Sequence, residues 1–180
     1  MKKAFFTFAL GMFILLSSGF TNPENKEPYP GDYTLFHIER SRDADVVMYD
    51  VNLNSQGKLD SSKPISVYWK KISGHGQLEP ITMIQKKFGY GLKFKSITET
   101  VANFQLISYP DRTFQLRRSV NNTYRVYTIS GEKEIEISSL YIQFEDNSFW
   151  FPTISRIELK GVDATIGNYL TETVRPLTRK

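Results

Sequence analysis

The stretch KEIEISSLYIQFE, Lys133 to Glu145, alternates apolar and polar side chains on two successive phases. Ile135 and Ile137 share one phase, and Leu140, Ile142 and Phe144 share the other. Period-two alternation marks a half-buried β-strand, because successive side chains point to opposite faces of a sheet. A change of phase within one strand would turn its core residues toward water unless an extra residue resets the register. The pair Ser138-Ser139 is therefore where a β-bulge or a bend is expected.

The same alternation recurs on both sides of this stretch. GLKFKSI, VANFQLIS, RTFQLRRS and TYRVYTIS precede it, and SRIELKGV follows. The breaks YPD, VNN, SGE and EDNS carry the Gly, Pro, Asn and Asp of ordinary turns. Gly91 to Glu145 thus reads as an antiparallel meander, and DATIGNYLTETV as a last hairpin turning at Gly167-Asn168. Toward the N-terminus, YTLFHIER, DVVMYDVNL and ISVYWKK read as further strands. In the second of these, Val47, Tyr49, Val51 and Leu53 form the cleaner core phase. NSQGK after it is a turn in which Gly57 can take positive φ. One stretch breaks the period: EPITMIQKKF, Glu79 to Phe88, puts Ile81, Ile84, Gln85 and Phe88 at helical spacing, with Pro80 suited to the first turn and Gly89 to the stop. Roughly eight to ten short strands with one short helix indicate an all-β chain. The expectation is a single domain over residues 33–176, either an antiparallel β-barrel of lipocalin-like form or a sandwich. Closure into a barrel would remove the exposed edges of so many strands.

The first residues concern the compartment. Lys2 and Lys3 precede an apolar run from Ala4 to Leu16, and Ser17, Ser18 and Gly19 are small. This is the layout of a secretory signal peptide, residues 1–19, and it is shorter than the roughly 20 apolar residues of a membrane span. The expected location is periplasmic or secreted, with no transmembrane segment in the mature form. Polar, proline-bearing residues 20–32 read as a flexible linker. The chain has no cysteine, so it forms no disulfides and offers no lipid-anchoring thiol. Its formal charge is +4; without Lys2 and Lys3, 21 Lys and Arg face 19 Asp and Glu, a net +2. No basic run is longer than a doublet, as at Lys70-Lys71, Lys86-Lys87 and Arg117-Arg118. Such doublets read as solvated faces, and no nucleic-acid partner is expected.

The common catalytic signatures GxSxG, HExxH and GxxxxGK[ST] are missing. The two histidines, His37 and His75, lack the close ligand spacing of a zinc site, so neither metal nor cofactor is expected. The densest cluster of charges is FHIERSRDADVVMYDVN, Phe36 to Asn52. His37 and Glu39 share one side of a strand. Facing an interior, they would form an acid–base pair, with Asp50 a second carboxylate candidate. Facing water, they would leave packing to Phe36 and Ile38, the commoner arrangement for an alternating strand. Arg40 to Asp45 reads most simply as a solvated hairpin tip, with too few acidic ligands for calcium. Tyr68, Trp69 and Tyr90 could line a pocket or simply pack in the core. His75, between two glycines, reads as an exposed loop residue.

Four pieces of the chain carry a family resemblance: FHIERSRDADVVMYDVN, KLDSSKPISVYWKK, EPITMIQKKFGYG and ISRIELKGVDATIG. Their most telling residues are Phe36, Ile38, Glu39, Arg40 and Ser41; Tyr49, Asp50 and Asn52; Pro64, Val67, Tyr68 and Trp69; and Tyr90 with Gly91. Together they resemble the bacterial exported proteins grouped as domain-of-unknown-function family 4833, over about Asp32 to Arg175. The resemblance implies an exported single-domain protein and brings no reaction, cofactor or catalytic residue. It does raise Glu39, Arg40, Asp50 and Asn52 as a linked polar cluster. Neighbours on one strand cannot face each other, so Arg40 is expected to reach across to Asp50. A structural clamp would account for these residues as well as a site does.

Three readings stay open. In the first, the protein binds a small or lipid-like hydrophobic ligand, or an envelope protein, through Arg40, Asn52, Tyr68, Trp69 and Tyr90. In the second, it is an envelope hydrolase or isomerase using His37 with Glu39 or Asp50. In the third, it is a structural interaction module without a ligand.

Overall fold

The computed structural model describes residues 33–145 and 153–175; the expected signal peptide and linker lie outside them. The protein is mostly β, and its sheet curls into a half-barrel. The strands are β1 (Thr34–Arg40), β2 (Asp43–Val51), β3 (Ile65–Lys71), β4 (Gln77–Pro80), β5 (Leu92–Ile97), β6 (Val101–Leu106), β7 (Tyr109–Arg118), β8 (Tyr124–Ser130), β9 (Lys133–Phe144), β10 (Ile154–Asp163) and β11 (Tyr169–Val174). A single helical turn, α1 (Met83–Gln85), runs into a π-helical turn at Lys86–Tyr90.

β9 organises the sheet. Its first half, Lys133 to Glu136, pairs with β8, and its second half, Ser139 to Ile142, pairs with β1. β10 runs along the opposite edge of both halves, from Ile135 to Phe144. Two limbs therefore leave one edge of the same strand. One is β1-β2-β3-β4 and the other is β8-β7-β6-β5. Between them the register slips: Ile137 faces Gly161 and Ser139 faces Lys160, so Ser138 is the extra residue. The bulge falls where the sequence changes phase, and it keeps Ile135 and Ile137 before it, and Leu140 and Ile142 after it, in the core. Gly161 makes the close approach possible, since a β-carbon there would lie 2.2 Å from the Glu136 carbonyl oxygen.

Other readings need correction. The sheet is not wholly antiparallel, because β1 and β9 run parallel. Their connection is the whole intervening chain, which leaves along the first limb and returns through the meander. The β6–β7 turn is Ile107-Ser108, not Tyr109-Pro110-Asp111. Pro110 instead lies in an irregular part of β7, between the pairs Leu106–Tyr109 and Phe104–Phe114, where its missing N–H costs no ladder bond. β4 has no apolar alternation to announce it, and Pro80 ends it rather than starting the helix. Helix α1 begins instead at Thr82, whose side chain accepts from the Gln85 amide while the Gln85 side chain accepts from the Thr82 amide. Asp45, read as part of a solvated tip, is 5% exposed and bonded to Lys71.

The inner face stacks in rows across the first limb. Phe36, Tyr49 and Val67 form one row, and Ile38, Val47 and Trp69 the next. Phe36 and Tyr49 stack face to face at 4.3 Å. Phe104 and Phe114 do the same in the second limb at 5.6 Å. The last hairpin, β10–β11, turns through Gly167 at positive φ, as expected.

Candidate functional site at the open seam

The two limbs end on β4 and β5, which are consecutive in the chain and joined by residues 81–91. The curl is thus latched at its open side by α1 and the π turn. Five side chains hold the latch to the core. Trp69 Nε1 donates to Gln85 Oε1 (3.2 Å), the same oxygen that caps the helix. Tyr49 Oη donates to the Tyr90 carbonyl (2.9 Å). Full burial, and then the neighbouring Tyr90, push the Tyr49 phenol well above its ordinary acidity range, so it serves as a neutral donor. Tyr90 meets Trp69 edge to face at 5.3 Å. Arg40 completes the set: its guanidinium sits 4.4 Å from the Trp69 ring centre, its Nη1 donates to Tyr90 Oη (3.1 Å), and its Nη2 pairs with Asp43. Burial is the leading influence on Tyr90, and it raises that phenol too.

Of the candidates raised by sequence, the structure brings together Arg40, Trp69 and Tyr90. Asp50 does not meet Arg40. It accepts from Thr34 Oγ1 (2.9 Å) and Tyr68 Oη (2.5 Å) on the outer face, because residue 50 and residue 40 lie on opposite phases of paired strands. Tyr68 is raised by partial burial and by that bond, and it points away from its neighbour Trp69. His37 Nε2 and Glu39 Oε1 are 3.0 Å apart, half-exposed, on the same outer face. Asn52 donates to the Lys63 carbonyl (2.7 Å) and accepts from Ser66 (3.0 Å), which pins the β2–β3 connection. His75 is exposed at positive φ in its loop.

Beside the latch lies a concave groove of about 440 Å³, within the usual range for small-molecule sites. Ile65 and Val67 of β3 form one wall, and Leu92 and Phe94 of β5 the other. Ile81, Met83 and Ile107 complete the apolar lining. Lys63, Lys86 and Lys87 also line it, and no carboxylate does. The latch end is fixed from the far side: the Ile107 amide donates to the Gly91 carbonyl (3.0 Å), and the Ser108 amide to that of Gly89 (3.2 Å). At Gly91 a β-carbon would lie 2.1 Å from the Lys86 carbonyl oxygen, so this position admits only glycine without a shift of the turn.

The sequence marks none of these groove residues as a site: Val67 and Gly91 enter through the family resemblance, and Lys86-Lys87 reads as a solvated face. One signal pointed to them: between Glu79 and Glu99 the chain has four lysines and no acid. A second concavity, about 360 Å³, lies over β7, β8 and β9, but its charges are matched internally. Arg117 bonds Glu134 (2.6 Å) and covers the Tyr127 ring at 3.9 Å, while Arg125 pairs with Glu136 (3.2 Å). Among the described residues no group of His, Asp and Glu is arranged to hold a metal ion, and no helix is long and apolar enough to cross a membrane.

Fold and seam define a class: a curled β half-barrel, latched by one helical turn, with an apolar groove edged by lysines. The family model for a domain of unknown function (DUF4833) matches residues 36–173, and the chain belongs to that family. No curated protein and no solved structure matches it.

Proposed function

We propose that the protein is an exported, single-domain module that holds an anionic amphiphile, an apolar tail with a carboxylate or phosphate head, in the seam groove. The half-barrel is then an incompletely closed barrel rather than a sandwich, with the ligand at the gap. The carrying observation is the lining itself: apolar walls from β3 and β5, three lysines and no acid. Apolar walls favour a tail, and lysine stems can pack along it while their ammonium groups meet the head. The signal-like run Ala4 to Leu16 supports export. In this reading Arg40, Trp69 and Tyr90 set the position of the latch rather than touch the ligand.

Calorimetric titration with dodecanoate tests the reading. The wild type should bind it, and the uncharged dodecyl maltoside much more weakly. Ile107→Glu puts a carboxylate into the groove at a position already partly exposed, and should weaken dodecanoate at least tenfold without moving the urea midpoint. No heat with dodecanoate, or equal binding by Ile107→Glu, would overturn it.

A further inference from the structure

The latch carries a second feature, which shares only Met83 with the apolar lining of the groove. Met83 is 81% exposed, Ile84 72% and Phe88 70%, three large apolar side chains within one short helical segment. Helices of proteins normally turn such residues inward, and an exposed cluster of them marks a surface that meets something apolar. Ile81, at the start of the same segment, is the residue that packs into the core. Ile81 precedes the cap residue Thr82 and packs from outside the helix, whereas Ile84 within α1 and Phe88 in the π turn are turned to water.

Charge identifies the partner. Lys86, Lys87, Lys93 and Lys95 stand between Glu79 and Glu99 with no acid among them, a local +4. The chain without Lys2 and Lys3 carries only +2, so the rest of it is slightly acidic and the positive charge is concentrated here. Lys93 and Lys95 are exposed, alternating along β5 with the groove residues Leu92 and Phe94. Protruding apolar side chains among lysines match the interface of an anionic bilayer, where the chains enter the acyl boundary and the ammonium groups stay at the headgroups.

We propose that Met83, Ile84 and Phe88 dock the protein onto an anionic lipid surface, steadied by Lys86, Lys87, Lys93 and Lys95. Met83, Lys86 and Lys87 also line the groove, so docking sets the groove mouth at the membrane. That last link rests on the groove reading; the docking itself does not.

The experiment is flotation of the protein, purified after export, with large vesicles of phosphatidylglycerol and phosphatidylcholine, and with phosphatidylcholine alone. The wild type should float with the anionic vesicles, weakly or not at all with the neutral ones, and less at 1 M salt, where screening shortens to about 3 Å. The double variant Ile84→Ser/Phe88→Ser carries the same N-terminus and should lose at least tenfold in partitioning. Both positions are exposed, so its urea midpoint should match the wild type. Neither residue lines the groove, so its dodecanoate titration should be unchanged, whereas Ile107→Glu should still float. Failure of the wild type to float with anionic vesicles, or flotation of the double variant as strong as wild type, overturns the docking proposal and leaves the dodecanoate result to judge the groove.

Discussion

The half-barrel has two places where its limbs meet, and they are built differently. At the junction on β9, one strand serves both limbs, and Leu140, Ile157 and Leu159 are almost fully buried. At the seam, no strand spans the gap; a single helical turn and a π turn do, and they leave Met83, Ile84 and Phe88 in water. The junction is closed by backbone ladders, the seam by a handful of side-chain bonds centred on Trp69 and Tyr90 and two backbone bonds from Ile107 and Ser108. Stability and the proposed binding are thereby placed apart. Ladders and an apolar core hold the junction, while the seam keeps the exposed apolar surface on which both proposals rest.

The sharpest test sets two glycines against each other. A β-carbon at Gly161 would meet the Glu136 carbonyl at 2.2 Å and Ile135 at 2.6 Å; one at Gly91 would meet the Lys86 carbonyl at 2.1 Å. The clashes are alike and the surroundings are not. At the junction both neighbours belong to paired strands, so Gly161→Ala should cost about 3 kcal/mol, the upper end for overpacking. At the seam the π turn can move, so Gly91→Ala should cost about 1–2 kcal/mol and distort the groove. Urea denaturation measures both, and equal costs would break the distinction between a rigid junction and a yielding seam.

This contrast was half legible in the sequence. The junction was readable because a phase change in KEIEISSLYIQFE has one economical solution, a bulge, and the structure places it at Ser138. The seam was not. Helical spacing joined Ile81, Ile84, Gln85 and Phe88, but the helix is capped at Thr82 and turns π after Gln85, so Ile81 packs from outside it while Ile84 and Phe88 stand in water. The partners of the polar residues were equally hidden. Arg40 and Asp50 looked like a cross-strand pair, yet facing depends on register. The β1–β2 register puts Asp43 opposite Arg40 and leaves Asp50 on the far face with Tyr68. Tyr90 is distant from Arg40 and Trp69 in the chain, and nothing local announces their meeting.

Arg40 gives the next effect in size. Among the described residues it is the one that ties β1 to both Trp69 and Tyr90. Arg40→Met keeps much of the stem and removes the cation–π contact and two hydrogen bonds, which together are worth about 2 kcal/mol. Near-ultraviolet circular dichroism should weaken as Trp69 and Tyr90 lose their fixed geometry. If stability falls while that signal and dodecanoate binding stay intact, Arg40 is holding β1 rather than the seam.

Acid and alkali separate the two ends further. Asp163, on the junction strand β10, is held below the ordinary carboxylate range first by the Thr165 amide. Asp45, on the limb leading to the seam, is held down first by Lys71, and Lys71 is raised in turn by Asp45. Lowered carboxylates stabilise fully above their unfolded value near 4 and lose that contribution as the pH falls through their folded values. A raised lysine stabilises fully below its unfolded value near 10.4 and loses that contribution as the pH climbs through its folded value. Acid should therefore weaken both ends. The alkaline decline should include a part that Asp45→Asn abolishes, while Asp163→Asn leaves that part in place. Thermal melts across the pH range read this directly, as smaller shifts than those of Arg40→Met.

The smallest expected change runs the other way. Gly89 lies inside the π turn, its φ is outside the left-handed region, and an added β-carbon there would meet no atom within 4 Å. Glycine in a helical segment gives up more conformational freedom on folding than alanine does, so Gly89→Ala should raise stability by about 0.5 kcal/mol. On the groove proposal, a seam left looser than the chain requires has a physical use: a turn that can shift would admit the amphiphile between β3 and β5, and a stiffer one would admit it more slowly. Gly89→Ala should then slow dodecanoate association in stopped-flow while leaving the junction untouched. A gain in stability with no change in that rate would mean that the groove stands open without help from the latch, and the contrast between the two meeting places would be one of packing alone.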